Sequence, residues 1–223
     1  MSDKTTVQVA LRIRPLLPNE ISRGYQDILE VFPSIQQVQI RNSNKAFTYN
    51  YIFGDFSSEE VIFNTCTKDM IQNLFEGYNV TVLAYGQTGS GKTHTMGTNY
   101  TGPGDGGIIP RSLEHIFDHV NMNPEFNFTV SVSFVELYRE VLYDLLASKS
   151  RDKCRMEIRE DNSKGIVIPG LTEQPVSSMQ NALNCLCNGS LRRVTGSTNM
   201  NEQSSRSHAV FTVHIVSERK DDR

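Results

Sequence analysis

The stretch Val80–Met96, VTVLAYGQTGSGKTHTM, decides how the rest of the chain is read. Val80, Val82 and Leu83 read as a short buried strand and Thr93 onward as a helix start, with a glycine-rich turn between them. The pattern G-x-x-x-x-G-K-[ST] is met by Gly86, Gly91, Lys92 and Thr93. Glycines at Gly86, Gly89 and Gly91 let successive backbone N–H groups turn inward toward phosphate oxygens, and the helix that follows offers its positive end. Lys92 would reach the outer phosphates and the Thr93 hydroxyl would ligate Mg2+. The stretch reads as a phosphate-binding loop.

Composition sets the class. With 223 residues, 38% of them hydrophobic, the chain reads as one domain that buries roughly 70% of the surface its unfolded form exposes. Cys66, Cys154, Cys185 and Cys187 are too few and too irregular for a disulfide framework, and Cys185-x-Cys187 lacks a second pair with which to hold zinc. They read as reduced, intracellular thiols. The polar start MSDKTTVQ carries no apolar signal region and no apolar run is long enough to span a bilayer, so a cytosolic chain without membrane contact is expected. A net charge of −3 spread without blocks argues against a general nucleic-acid binder. Sequons at Asn79, Asn127 and Asn188 carry no weight in a cytosolic chain.

Ahead of the loop, Val7–Ile13 alternates apolar and polar residues as a strand and runs into Arg14-Pro15. Arg12 and Arg14 beside Pro15 fit either a flat platform on which a planar base stacks or a solvated strand end. Further strands are expected at Val38–Ile40 and Ala46–Phe53, parted by the turn-forming Asn42-Ser43-Asn44-Lys45. Ser57-x-x-Glu60 reads as a capping box opening a helix with Phe63, Cys66, Met70 and Leu74 on its apolar face, closed by Gly77.

Beyond the loop, Thr101–Gly107 reads as a glycine-rich surface connection. Pro110 marks a helix start, with Leu113, Ile116, Phe117 and Val120 on one face; His115 and His119 stand at metal-ligand spacing but, lacking any third ligand motif, read as solvated. Phe128–Val135 is the clearest strand, followed by a second apolar segment, Glu136–Leu146. Met156–Glu160 and Gly165–Leu171 read as a hairpin about Asp161–Lys164, and Ser177-x-x-Gln180 as the cap of a helix carrying Met179, Leu183, Leu186 and Val194. That helix leads to NMNEQSSRSH, Asn199–His208, a stretch too polar for core that runs into a strand at Ala209–Val216. Hydroxyl-rich stretches of this kind can read a γ-phosphate and its Mg2+; a polar turn without chemistry is the plain alternative.

Taken together, ALRIRPLLP, AYGQTGSGKTHTM, VSFVELYREVLYDLL and NEQSSRSH resemble the kinesin motor domain, in that order and across essentially the whole chain. Within it, VALRIRPLLPNEIS, GYNVTVLAYGQTGSGKT and SSRSHAVFT are most similar to the chromokinesin subfamily. The resemblance implies an α/β fold, a P-loop NTPase of the kinesin type with a mixed, mainly parallel sheet flanked by helices. It implies ATP and Mg2+ as ligands. Gly86, Gln87, Thr88, Gly89, Ser90, Gly91, Lys92 and Thr93 (loop 86–93) would hold the phosphates, and Arg12, Arg14, Pro15, Tyr78 and His94 would flank the adenine. Asn201, Ser204, Ser205, Arg206, Ser207 and His208 match switch I (199–208); Ser204 and Ser205 would meet γ-phosphate and metal, so that Thr93 and Ser205 are the expected metal ligands. Lys92, Thr93, Ser204, Ser205 and Arg206 are the expected catalytic set. Asn50 stands where the family pattern commonly has Asp.

The resemblance implies microtubules (tubulin) as the partner, a cytoplasmic, cytoskeletal setting, no membrane, and chromosome or spindle association and coiled-coil dimerisation through tail segments outside this sequence. Residues 1–223 are read as a partial motor domain: the family's DxxG strand, switch II and neck linker are not found before Arg223, and Arg206 has no visible acidic mate. The chain by itself is therefore expected to hydrolyse ATP poorly. Two other classes compete with this reading. A nucleotide-binding regulatory module without turnover predicts ATP affinity indifferent to microtubules. A small-molecule P-loop kinase would need an arginine-bearing lid. A GTPase is disfavoured, since Asn44-Lys45 is followed by Ala46-Phe47 and no N-K-x-D stretch occurs.

Overall fold

Alternation of apolar and polar side chains after Val7 produces β1, Ala10–Arg12, shorter than the run of residues suggests because Val7 and Val9 are exposed. The computed structural model describes residues 7–98, 106–149, 153–163, 165–195 and 207–220, and the chain divides into two units, Met1–Met70 and Ile71–Arg223. In the first, α1 (Pro18–Ser22) and the strands β2 (Leu29–Phe32), β3 (Gln37–Ile40), β4 (Ala46–Thr48) and β5 (Tyr51–Phe53) follow in order. β1 pairs with β5 in parallel, Leu11 opposite Ile52, while β2, β3 and β4 form an antiparallel meander. The single strand expected over Ala46–Phe53 is thus two strands in two sheets. The switch has a local cause. Tyr49 N–H donates to the carbonyl of Gln36 and Ile52 N–H to the Gln36 side-chain oxygen, while Asn50 Oδ1 accepts from Val9 N–H at 2.8 Å. Asn50 supplies the oxygen this junction needs.

α2 (Glu59–Ile62) is capped by Ser58, whose Oγ accepts from Val61 N–H at 3.3 Å, one residue later than the capping box over Ser57 and Glu60 suggests. A π turn over Phe63–Thr67 then leads into α3, Lys68–Gln72. The extra residue of that turn rotates the helix, so the buried positions are Ile62, Phe63, Thr67 and Ile71, whereas regular spacing pointed to Phe63, Cys66, Met70 and Leu74. Gly77 closes the run in the left-handed region, φ 89°, as its position predicts.

The second unit departs from expectation at its most informative stretch. Val80–Tyr85 is not a buried strand: it pairs with no strand among the described residues, and Leu83 and Tyr85 are 82% and 95% exposed. Val80, Val82 and Ala84 are half-buried, so the alternation of a strand is present without the ladder that defines one.

After α4 (Lys92–Met96) and α5 (Ile108–Met122) the chain enters β6, Phe126–Tyr138, thirteen residues long. β6 runs through Glu136 to Tyr138. A two-residue turn, Arg139-Glu140, both at positive φ, then reverses the chain into β7, Val141–Asp144. The sequence gives no hint of this hairpin because neither residue is glycine, asparagine or aspartate. β8 (Arg155–Met156) pairs with β7, and β9 (Arg159–Asp161) with β10 (Gly165–Val167) form the predicted hairpin in shortened form. β11 (Gln174–Pro175), α6 (Met179–Thr195) and β12 (Ser207–Arg219) complete the order.

β12 pairs antiparallel with the whole of β6, while β7 and β11 share the other edge. The class is α/β, as expected; among the described residues the strands pair antiparallel except for β1 with β5, which form a separate parallel pair. α5 and α6 pack on one face, Leu113, Phe117, Ala182, Leu183 and Leu186 against Val130, Val132 and Phe134. Ser178 caps α6 through Asn181 N–H, again one residue beyond the expected Ser177.

Gly189 marks the closest approach of α6 to the sheet: a methyl group there would lie 2.2 Å from Phe134 Cδ1. Alanine is worth about 1 kcal/mol over glycine inside a helix, but overpacking a core costs about 1–3 kcal/mol. Gly189→Ala is therefore expected to lower the urea midpoint, and a raised midpoint would show that α6 can move off the sheet.

Candidate functional site

The loop Gly86–Thr93 belongs to the second unit and is shaped by three glycines at positive φ: Gly86 at 154°, Gly89 at 81° and Gly91 at 97°. Gly91 is the N-cap of α4, and Thr95 N–H returns to its carbonyl at 2.9 Å. Ser90 N–H closes the turn on the carbonyl of Gln87. Space is limiting at Gly86, where a methyl group would meet Ser90 Oγ at 2.5 Å; Gly89 and Gly91 face open space and need glycine for conformation alone. Lys92 Nζ donates to the carbonyls of Gly86 and Gln87 at 2.7 and 2.9 Å, which anchors a positive charge at the curl of the loop. A glycine curl with backbone donors and a lysine at its rim are the parts that can hold a polyphosphate. Gln87, Thr88, Thr93 and His94 are exposed around it, and Tyr78 is exposed further back in the same unit.

α4 ends at Gly97, which meets Gly107 so closely that a side chain on either would strike the backbone of the other. This contact sets the short phosphate-loop helix against the first turn of α5, where Arg111 Nε donates to the carbonyl of Gly106 at 2.8 Å.

Arg12, Arg14 and Pro15 lie in the first unit, and both guanidiniums are held by carboxylates that sequence reasoning did not single out. Arg12 meets Glu59 at 2.5 Å. Arg14 donates through both terminal nitrogens to Glu20, at 2.7 and 2.8 Å, and also to the carbonyl of Pro15. Glu20 in turn accepts from Leu17 N–H at the start of α1. The available signal was the spacing: Pro18 opens the helix and Glu20 sits where a first-turn acid reaches back. Two parallel bonds from Arg14, and then the Leu17 amide, bring the Glu20 carboxyl down to about 2.

Asn201, Ser204, Ser205 and Arg206 lie outside the described residues, as do Asn199, Met200 and the glycine-rich residues 101–105. Of the polar stretch, Ser207 and His208 are described, and they open β12 two residues before the expected strand. Ser207 is held by Arg193 of α6, which also faces the fully buried Glu136 of β6. Sequence reasoning missed both partners; a lone acid inside FTVSVSFVELY was the signal. His119, expected to be solvated, is stacked on Phe75 with ring centroids 3.5 Å apart and edged by Phe128, and burial lowers its pKa. An aromatic slot, not water, is its surrounding. Cys66, Cys154, Cys185 and Cys187 are free thiols, and burial pushes those of Cys66, Cys185 and Cys187 up, away from reactivity. Among the described residues no group of three His, Cys, Asp or Glu side chains could hold a metal ion, and no helix is long and apolar enough to cross a membrane.

The kinesin motor domain family model matches residues 12–223. The human chromosome-associated kinesin KIF4A is 45% identical over 221 residues, which is 97% of this chain and 18% of the relative. The mouse kinesin-like protein KIF27 is 42% identical over 216 residues, 96% of this chain and 15% of the relative. The chain therefore spans less than a fifth of the length of these relatives. A solved structure of a fast kinesin, described with its ATPase mechanism and interactions with microtubules, superposes with a TM-score of 0.88 at 34% identity, covering 96% of this chain and 60% of that one.

The Arg14–Glu20 fork makes a pH-dependent contribution whose sign is set by the depressed carboxyl. It is fully present above the ordinary carboxylate value of 4.5 and is lost as pH falls toward about 2. A carbon-13 titration of the Glu20 carboxyl should show a midpoint near 2 that rises toward 4.5 in Arg14→Gln. An unshifted midpoint in that variant would show that Leu17, not Arg14, holds the charge.

Proposed function

The chain belongs to the kinesin motor-domain family, and on that footing we propose that residues 1–223 are a partial motor domain, the ATP-binding part of a microtubule-dependent motor ATPase. The observation that carries the proposal is the Gly86–Thr93 loop, with three glycines at positive φ and the Lys92 ammonium anchored on its first carbonyls. Gly86, Gln87, Thr88, Gly89, Ser90, Gly91 and Lys92 would hold the phosphates of ATP. Thr93 and Ser205 would ligate Mg2+, Ser204 and Asn201 would face the terminal phosphate, and Arg206 would seek an acidic mate. Arg12, Arg14, Pro15, Tyr78 and His94 would flank the adenine, with Glu59 and Glu20 keeping the two guanidiniums in place.

Mg2+ bound with ATP supplies neutralising charge at the phosphates. The chain's own contribution is positioning. Lys92 brings a fixed positive charge to the outer phosphates, the loop amides donate without reorganising, and the serines would orient the attacking water's side of the site. Such preorganised donors act on charge that spreads during transfer to water.

Support for microtubules as the partner comes from the fast kinesin whose structure this chain shares. The chromosome-associated character of the KIF4 relatives supports chromosome or spindle association for the parent protein, and membership of the kinesin family supports a setting on the microtubule cytoskeleton in the cytoplasm. Association of that kind, and dimerisation, would be carried by tail and coiled-coil segments outside this sequence.

Binding of Mg·ATP and release of phosphate, each measured with and without polymerised microtubules, test the proposal. Lys92→Ala is expected to weaken Mg·ATP binding by about tenfold or more, the worth of a charged hydrogen bond, while phosphate release by the unmodified chain is expected to be slow with and without microtubules. Equal ATP affinity in the unmodified chain and Lys92→Ala would overturn the phosphate-loop assignment, and strong stimulation of the unmodified chain by microtubules would overturn its reading as a partial motor domain.

A further inference from the structure

Where β7 ends, the chain is pinned by a buried carboxylate that the nucleotide site does not use. Asp144, 2% exposed, accepts from the amides of Leu146 and Ala147 through Oδ1, at 2.9 and 3.1 Å, and from that of Thr172 through Oδ2, at 2.8 Å. Three N–H donors satisfy the buried charge and hold two separate segments of chain together. Arg192 of α6 donates to the carbonyl of Ala147, and Val176 N–H to that of Val130 in β6. Between these fixed segments and α6 runs a groove of about 760 Å³, a size that takes a ligand.

The floor of the groove is apolar, with Leu145 and Val176 1% and 7% exposed. Its wall on α6 is a row of amides, Asn181, Asn184 and Asn188, all exposed. The first two are preset. Ser177 Oγ donates to Asn181 Oδ1 and Gln180 Nε2 to Asn184 Oδ1, both at 3.0 Å. With the oxygens so engaged, the Nδ2 groups stand as donors without a protein partner among the described residues. No carboxylate lines the groove among the described residues, and its one cation, Arg192, already holds a carbonyl.

Helix geometry sets what such a row can read. At 1.5 Å per residue, Asn181 and Asn188 stand about 10 Å apart along the axis, the length of roughly three residues of extended chain. Carbonyls on one side of an extended chain recur at about 7 Å, close to the separation of about 6 Å from Asn184 to Asn188. Alternate side chains of that extended chain then face the floor of Leu145 and Val176. A charge placed there would lose its hydration and meet no opposite charge. We propose that this groove is a binding site for an extended, uncharged peptide segment of a partner protein. The peptide's backbone carbonyls accept from the asparagine amides, and its apolar side chains rest on the floor.

The test is selection of random seven-residue peptides, displayed on phage, against the full chain, followed by titration of the selected sequences as synthetic peptides with blocked ends. Cys185 lines the groove and reports its occupancy. Bound peptide should slow alkylation of Cys185 by iodoacetamide, read by mass spectrometry, and leave Cys66 unaffected. Asn184→Ala and Asn188→Ala should each weaken binding about three- to tenfold, the worth of one hydrogen bond. Their melting temperatures should hold, since both positions are exposed and alanine is the better helix former. Asn184→Asp keeps the shape and removes the donor, and should lose at least as much. Uncharged peptides that protect Cys185 and lose affinity in these variants bear the proposal out. It is overturned if no peptide is selected above an empty support, if the selected consensus carries charged residues, if Cys185 is not protected, or if the asparagine variants bind as tightly as the unmodified chain.

Discussion

The antiparallel ladder between β6 and β12 is the constraint on which the second unit depends. All thirteen residues of β6 have a partner in β12, from Phe126 opposite Arg219 to Tyr138 opposite Ser207. Since side chains alternate across a strand, this one register sends Val130, Val132 and Phe134 to the face covered by α5 and α6. A slip by one residue would expose that entire row and bury its polar neighbours. The hydrophobic pattern and the ladder therefore enforce each other, and α6 is carried to the point where Arg193 meets Glu136.

From this frame the phosphate loop is positioned at second hand. α4 is five residues long, too short to be stable by itself, and its orientation comes from the contact of Gly97 with Gly107 at the head of α5. α5 in turn is anchored by Leu113, Ile116 and Phe117 in the core. Rigidity thus passes from the sheet through a fifteen-residue helix to a five-residue one, while Gly89 and Gly91 of the loop face open space. A site built this way keeps exposed donors in place without burying them. The first unit uses a different device. Its arginines are fixed by half-buried carboxylates, Glu59 and Glu20, and Glu20 grips Arg14 at two points.

Several misreadings share a physical origin. Ser57 and Ser177 fit capping positions, yet the next serine does the capping in each case, because Ser-Ser pairs offer the same chemistry at two adjacent positions and only the turn decides. The π turn at Phe63–Thr67 rotates the buried face without altering composition. Val80–Tyr85 carries the alternation of a strand, but a strand is defined by a partner, which is a property of the fold and not of the segment. The His115–His119 spacing looked like a solvent-facing pair until Phe75 and Phe128, far apart in sequence, closed on His119.

What the sequence determined by itself is what local chemistry dictates. Gly86, Gly89, Gly91 and Lys92 are legible as the proposed phosphate loop because such a loop needs particular residue types at fixed offsets, and β6 and the two long helices because their apolar spacing extends over many residues. The kinesin family is legible for the same reason, through several short motifs in one order. Only the tertiary structure decided that Glu20 holds Arg14, that Asn50 divides one expected strand between two sheets, and that Glu136, Arg193 and Ser207 meet. Those contacts join residues whose pairing depends on register, turn and helix rotation. None of these is written in any single stretch of the chain.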